Sequence, residues 1–171
     1  MNNSKYLKIK PNSISGNAFN MIGEEWFLIT AGPIDSFNTM TAAWGSFGVL
    51  WHRPVVTCFV RPTRHTYNFM ERNEYFTLCF FEDKYRDILN FCGSRSGRDT
   101  NKMIETGLIP LLTENENVFF EQARLVIECK KQYFHDLDPE IFLDERIHKD
   151  YPAKDYHRMY VGEIIDCFVK K

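Results

Sequence analysis

Short apolar runs separated by turn residues punctuate the chain, a rhythm of strands rather than of long helices. The first run, "EEWFLITA" (24–31), is closed by Gly32-Pro33. "FNTMTAAWGSFGVLW" (37–51) mixes β-branched and aromatic residues with small ones. Its Gly45 and Gly48 point to a bulge or a close approach of the backbone. "PVVTCFV" (54–60) and "YFTLCFF" (75–81) are continuously apolar, as expected of strands covered on both faces. "VFFEQARLVIEC" (118–129) and "RMYVGEIIDCFV" (158–169) bring the expected strands to at least six.

Helical spacing is confined to the stretches between these runs. A short helix is predicted over 66–73, with Thr66 as its N-cap. In "EDKYRDILNFCG", Tyr85, Ile88, Leu89 and Cys92 recur at one-face spacing, Asp83 is placed to cap the start and Gly93 to end the helix. "RDTNKMIETG" predicts a third, closed by Gly107, with Met103 and Ile104 facing inward. Residues 1–20 read as a polar lead-in, and 135–157 as a long irregular excursion with one helical turn. Strands with a few short helices inserted predict a mainly β, antiparallel, closed or nearly closed barrel in a single domain over 1–171. Neither GxGxxG nor GxxxxGK[ST] occurs, so a Rossmann or P-loop nucleotide site has no support.

Composition narrows the class. With 21 basic and 23 acidic residues the net charge is −2, which gives no broad footprint for nucleic acid. Five cysteines without a CxxC pair read as free thiols, and Cys58, Cys79 and Cys129 sit in apolar strands as packing residues. The start, "MNNSKYLKIKPNS", lacks an apolar signal core and no stretch reaches the length of a membrane span, so a cytoplasmic protein is expected. No histidine pair or Cys/His cluster has metal-ligand spacing, so no metal is expected. Aromatic residues make up 15% of the chain, a content that suits strands, flat ligands and subunit interfaces alike.

Three segments carry candidate chemistry. "RPTRHT" (61–66) gathers Arg61, Thr63, Arg64 and Thr66 after a buried strand and before a helix, donors suited to a phosphate. The same arginines would serve equally as partners of surface carboxylates. "GSRSGRDTNK" (93–102) sets Ser96, Arg98 and Lys102 among glycines before a helix, which is either an anion-binding concavity or a solvated loop. "NTMT" (38–41) offers polar side chains and strand N–H groups to a planar heterocycle, or forms a turn before a strand. His157 precedes the last strand, where it touches a ligand or caps the loop.

Taken in order, the stretch from "FNTMTAAWGSFGVLW" through "RPTRHT" to "YFTLCFF", then "GSRSGRDTNK", "TGL" and "DYHRMYVGEI", resembles the flavin reductase-like family, in its flavoredoxin branch. The resemblance runs from about Trp26 to Ile165. It implies an antiparallel, Greek-key split β-barrel that binds FMN non-covalently as a homodimer, with the cofactor near the subunit interface. Asn38, Thr39, Met40 and Thr41 would then contact the ring and ribityl chain, with Trp44 lining the pocket. Arg61, Thr63, Arg64, Thr66, Ser96, Arg98 and Lys102 would hold the phosphate or the cofactor mouth. His157, five residues before Gly162, matches the family's histidine near the nicotinamide or substrate. The chain departs at Asn101, where the family pattern often has Asp, which puts a local ion pair in doubt. The implied activity passes electrons from NAD(P)H through FMN to free flavin or a protein acceptor. The alternatives are an FMN-carrying electron-transfer protein without NAD(P)H turnover, and a barrel for some other phosphorylated ligand.

Overall fold

The computed structural model describes residues 5–171. Its strands are β1 (Tyr6–Ile9), β2 (Phe27–Ala31), β3 (Asn38–Ala42), β4 (Gly45–Leu50), β5 (Arg53–Val60), β6 (Tyr75–Phe80), β7 (Pro110–Leu112), β8 (Val118–Phe120), β9 (Leu125–Asp136) and β10 (Arg158–Lys170). The α-helices are α1 (His65–Arg72), α2 (Arg86–Ser94) and α3 (Lys102–Thr106).

The main sheet is antiparallel, in the order β3-β2-β6-β9-β10-β5-β4, with β1 added beside β10. β6, β9 and β10 are consecutive neighbours, and β5 lies beside β10, which makes a Greek key. The two ends of the order, β3 and β4, are joined through Ala43 and Trp44 alone. One continuous segment therefore passes from one end of the sheet to the other and draws it into a barrel.

Alternation along the strands explains the continuously apolar runs. Phe27, Ile29, Leu78, Phe80 and Ile127 fill the barrel, together with Met21, Met40, Phe76 and Tyr160. Their sequence neighbours Leu28, Cys79 and Val126 point outward, but into a second core with Leu89, Cys92, Phe119 and Phe120. That outer core lies under α2 and the β7–β8 hairpin, so neither face of the central strands meets water. All five cysteines are free and buried. Desolvation raises the thiols of Cys58 and Cys79 to about 12, consistent with inert packing residues.

Several sequence expectations need correction. The 37–51 run is two strands, because the chain turns at Ala43-Trp44 to change sheet ends. Gly45 fits the expected close approach, since a Cβ there would come 2.6 Å from the Thr57 carbonyl oxygen, whereas Gly48 has open space. The 118–129 run is also broken, at 121–124 between β8 and β9. Within the lead-in, residues 1–4 lie outside the described residues, and β1 escapes the pattern because a strand of four residues carries too little of it. Thr66 does not cap α1; it lies inside the first turn, and Arg64 holds the cap position. Asp83 begins a separate 3-10 turn, Asp83–Tyr85, and makes no cap bond, while α2 runs one residue past Gly93. Gly107 does close α3, with φ 68, but Ile104 is 77% exposed rather than inward. The 135–157 excursion starts later than expected, since β9 continues through His135 and Asp136, and it contains two 3-10 turns, Pro139–Ile141 and Glu145–Asp150.

Candidate functional site

β3 forms the floor of the candidate site, and its polar side chains are committed to holding that floor in place. Asn38 is buried and its Nδ2 donates to Thr66 Oγ1 at 2.7 Å, tying β3 to α1. Thr41 Oγ1 donates to the Leu89 carbonyl at 2.5 Å, tying it to α2. Thr39 Oγ1 lies 2.9 Å from Thr30 Oγ1 and donates to the Ile29 carbonyl at 3.2 Å. Met40 is buried between them. What remains available from "NTMT" is mainly backbone, because β3 is an end strand of the sheet with one unpaired edge.

The two basic segments, about thirty residues apart in sequence, meet beside this floor. Thr63, Arg64, His65 and Thr66 face Ser94, Ser96, Arg98 and Lys102 across a cavity of about 190 Å³, with Asn38 and Met40 at its base. Contact is direct: Arg98 Nη1 donates to the Thr63 carbonyl at 3.4 Å, and Ser96 Oγ receives the Arg98 N–H at 3.2 Å. Gly97 is required here, since a Cβ would fall 2.0 Å from Asn38 Oδ1. Lys102 is buried, and its ammonium donates to the carbonyls of Thr39 at 2.7 Å and Cys92 at 2.9 Å. Burial lowers its pKa, and among the described residues no carboxylate is paired with it. Asn101 caps α3, accepting from the N–H groups of Met103 and Ile104 at 3.1 and 3.2 Å. An aspartate would accept the same two bonds, so the departure from Asp leaves the helix start intact.

The two arginines of "RPTRHT" part company. Arg61 is ion-paired: Nη1 lies 2.7 Å from Asp155 Oδ1, and Nη2 donates to the Asp150 carbonyl at 2.7 Å. Its guanidinium also lies 4.9 Å from the centre of the Tyr151 ring, and Thr63 Oγ1 donates to Asp155 at 3.2 Å. Arg61 thereby pins the end of the excursion to the barrel. Arg64 has no carboxylate partner among the described residues; Nη1 donates to the Gly93 carbonyl at 2.6 Å.

Arg64 also borders a second cavity of about 150 Å³, lined by Met40–Trp44, Phe59, Arg61 and His157. His157 is enclosed by aromatic rings, with centres at 4.8 Å from Trp44, 5.5 Å from Tyr151 and 6.4 Å from Phe59. Trp44 keeps 43% of its surface exposed, so part of its side chain stays open to a ligand.

The sequence signature of the family described as flavin reductase like domain matches residues 21–171. The chain belongs to the flavin reductase-like family. That membership places it among flavin-related oxidoreductases. Flavoredoxin of Desulfovibrio vulgaris (Miyazaki F) superposes with a TM-score of 0.67 at 23% identity, over 85% of this chain and 69% of that one. An FMN-binding domain of a flavin reductases-like enzyme from Shewanella baltica OS155 gives 0.69 at 16% identity, over 96% and 77%. The NADH:FAD oxidoreductase SgcE6 of Streptomyces globisporus C-1027 gives 0.64 at 13%, over 85% and 80%. At these identities the likeness is one of fold, the split barrel. No curated protein sequence matches the chain.

In this flavin reductase-like chain, sequence reasoning missed three residues that shape the site. Asp155 and Tyr151 lay in the polar excursion, where nothing in the local pattern tied them to position 61. His65 lay inside "RPTRHT" but was passed over. Its Nδ1 is the one buried side-chain nitrogen or oxygen without a hydrogen-bond partner among the described residues. Burial, with Arg98 and Lys102 nearby, lowers its pKa.

His157 carries a pH signature. Burial first, then the Arg61 charge, lowers its pKa from 6.5 to about 4, with Asp155 acting in the opposite direction. The unfolded chain therefore binds more protons through this window. Stability from neutral His157 is complete above about pH 6.5 and is lost as pH falls toward 4. Between pH 7 and pH 5 the loss amounts to about 2 kcal/mol. Thermal melts of wild type and His157→Gln at both pH values check this, and the variant should show the smaller difference.

Proposed function

We propose that the chain is an FMN-dependent oxidoreductase that accepts hydride from NAD(P)H and delivers electrons to free flavin or a protein acceptor. The observation that carries the reading is the concavity where 63–66 and 94–102 converge. Among the described residues it holds a guanidinium without a carboxylate, a buried ammonium without a carboxylate and the unpartnered His65 Nδ1. A phosphate monoester would supply acceptors for all three. The donor set therefore fits the FMN phosphate.

Bound FMN would supply the redox chemistry, taking up hydride and releasing electrons singly or in pairs. Arg64, His65, Lys102 and Ser96 would bind the phosphate end in this reading. The Met40–Ala43 backbone at the sheet edge offers N–H groups to the polar rim of the ring, where they favour added negative charge. Trp44 and His157 shield the neighbouring cavity and orient the hydride donor. We place the protein in the cytoplasm, where its five free thiols stay reduced.

A homodimer completes the reading. Val49, Leu50, Trp51, Tyr133 and Phe134 are all exposed, and the rings of Trp51 and Tyr133 meet edge-on at 6.5 Å. The β4–β5 hairpin turns through Trp51 and His52 at φ 52 and 60, the left-handed region that such turns usually give to Asn or Gly. Holding an exposed tryptophan there at a conformational cost suits a surface that a second copy covers.

Anaerobic mixing of FMN-loaded protein with NADH or NADPH tests the reading, with sedimentation velocity run on the same sample. Rapid bleaching of the flavin band in a dimer is the expected result. Failure to retain FMN would refute the cofactor assignment. Retention with reduction only by a reduced ferredoxin-type donor would instead make the chain an electron carrier.

A further inference from the structure

His157 Nδ1 lies 2.8 Å from the Tyr151 hydroxyl, and both side chains are buried. The roles in that bond follow from the surroundings. Burial raises the Tyr151 pKa above its ordinary value, with the Arg61 charge acting in the opposite direction. The phenol therefore keeps its proton at neutral pH. Among the described residues the Tyr151 hydroxyl has no other side-chain or carbonyl acceptor. Were Nδ1 to carry a proton, the buried phenolic hydrogen would have nowhere to go, at a cost of about 1–3 kcal/mol. Were Nδ1 to accept, every group is satisfied, and the imidazole proton must sit on Nε2.

Tyr151 is itself held in place. The Arg61 guanidinium covers its ring at 4.9 Å, and Arg61 is fixed by Asp155 and by the Asp150 carbonyl. The charged groups acting on the imidazole are Arg61, Asp155 and Arg64, and its other neighbours are the apolar faces of Trp44 and Phe59. Among the described residues no carboxylate bonds directly to the ring.

We propose that Tyr151 is a positioning residue that fixes His157 as the neutral Nε2–H tautomer, making it a hydrogen-bond donor into the cavity beside Met40–Trp44. The ligand class is a planar ring bearing a carbonyl oxygen, stacked on the open side of Trp44, with that oxygen accepting from Nε2. A nicotinamide carboxamide has this chemistry, and so does a small aromatic aldehyde. A cationic or donor-only ring would be rejected. The inference rests on the oxidoreductase reading for its kinetic consequence, whereas the tautomer stands on the protein alone.

Long-range proton–nitrogen NMR on protein labelled with nitrogen-15 in histidine reads the tautomer directly, with or without FMN. The expected result is one His157 tautomer with the proton on Nε2, unchanged between pH 8 and pH 6. In Tyr151→Phe, which keeps the ring under Arg61, both tautomers should appear and the thermal midpoint should fall only slightly. The same variant should show about a tenfold higher KM for the nucleotide, with FMN affinity unchanged. Nicotinamide and p-hydroxybenzaldehyde, titrated separately, should each shift the Nε2 signal if they bind as stated, and the one that shifts it at lower concentration identifies the source. A proton on Nδ1 in the wild type, or an unaltered tautomer in Tyr151→Phe, would overturn the proposal. A fixed Nε2–H tautomer in a protein that never reduces FMN would uphold the device and sink only the hydride-donor reading.

Discussion

Arg64→Ala is expected to weaken FMN binding about a hundredfold, whereas Arg61→Ala should weaken it less than about fivefold and lower thermal stability instead. Side by side in sequence, both arginines read as phosphate donors. Their partners separate them. Arg61 meets Asp155, whose side chain is largely buried, and also the Asp150 carbonyl and the Tyr151 ring. Its removal leaves a carboxylate short of its cation and loosens the excursion, a loss felt mainly in folding. The Arg64 side chain makes one hydrogen bond among the described residues, to the Gly93 carbonyl, and faces both cavities. Removing it takes away a charge-assisted donor without uncovering a buried carboxylate. Fluorescence titration with FMN, paired with thermal melts of the apoproteins, separates the two effects. Equal losses of affinity in the two variants would refute the assignment of the phosphate to Arg64.

This contrast also marks how far the residues alone could be read. The barrel was legible because 54–60 and 75–81 are short apolar runs bounded by turn residues, the pattern of strands covered on both faces. The phosphate donors were legible as types, since guanidinium and hydroxyl groups crowd two short segments. Which of them is free was not legible, because the answer lies with Asp155, 94 positions away from Arg61. Tyr151 and His65 were hidden for similar reasons: one sits in an irregular loop, and the other matters through an unsatisfied atom that only packing creates. β1 and β7 went unseen since strands of four and three residues carry too little pattern to rise above a loop. The break at Ala43-Trp44 was invisible because small residues and an aromatic suit a continuing strand as well as a corner.

The largest effect on folding is expected at Glu128, a position with no link to the site. Glu128 is fully buried on β9, and no Lys or Arg is paired with it among the described residues. Its carboxylate accepts from Thr113 Oγ1 at 2.5 Å, Asn117 Nδ2 at 2.5 Å and Asn115 Nδ2 at 3.1 Å. All three donors belong to the turn between β7 and β8. Thr113 Oγ1 in turn receives the Asn117 N–H at 3.0 Å, so the turn and the carboxylate form one closed network. That network fastens the hairpin whose Phe119 and Phe120 complete the outer core. Glu128→Ala leaves those donors facing a cavity, and the expected loss is about 3–4 kcal/mol. For a chain of this size that corresponds to a fall in Tm of about 10 °C. Glu128→Gln keeps the shape and one acceptor but turns a donor toward the asparagine amides, for a loss of about 1–2 kcal/mol. Urea unfolding orders the three proteins, and hydrogen exchange over 113–120 should show the hairpin opening first in the alanine variant. A loss below about 1 kcal/mol for Glu128→Ala would mean that apolar packing alone holds the hairpin.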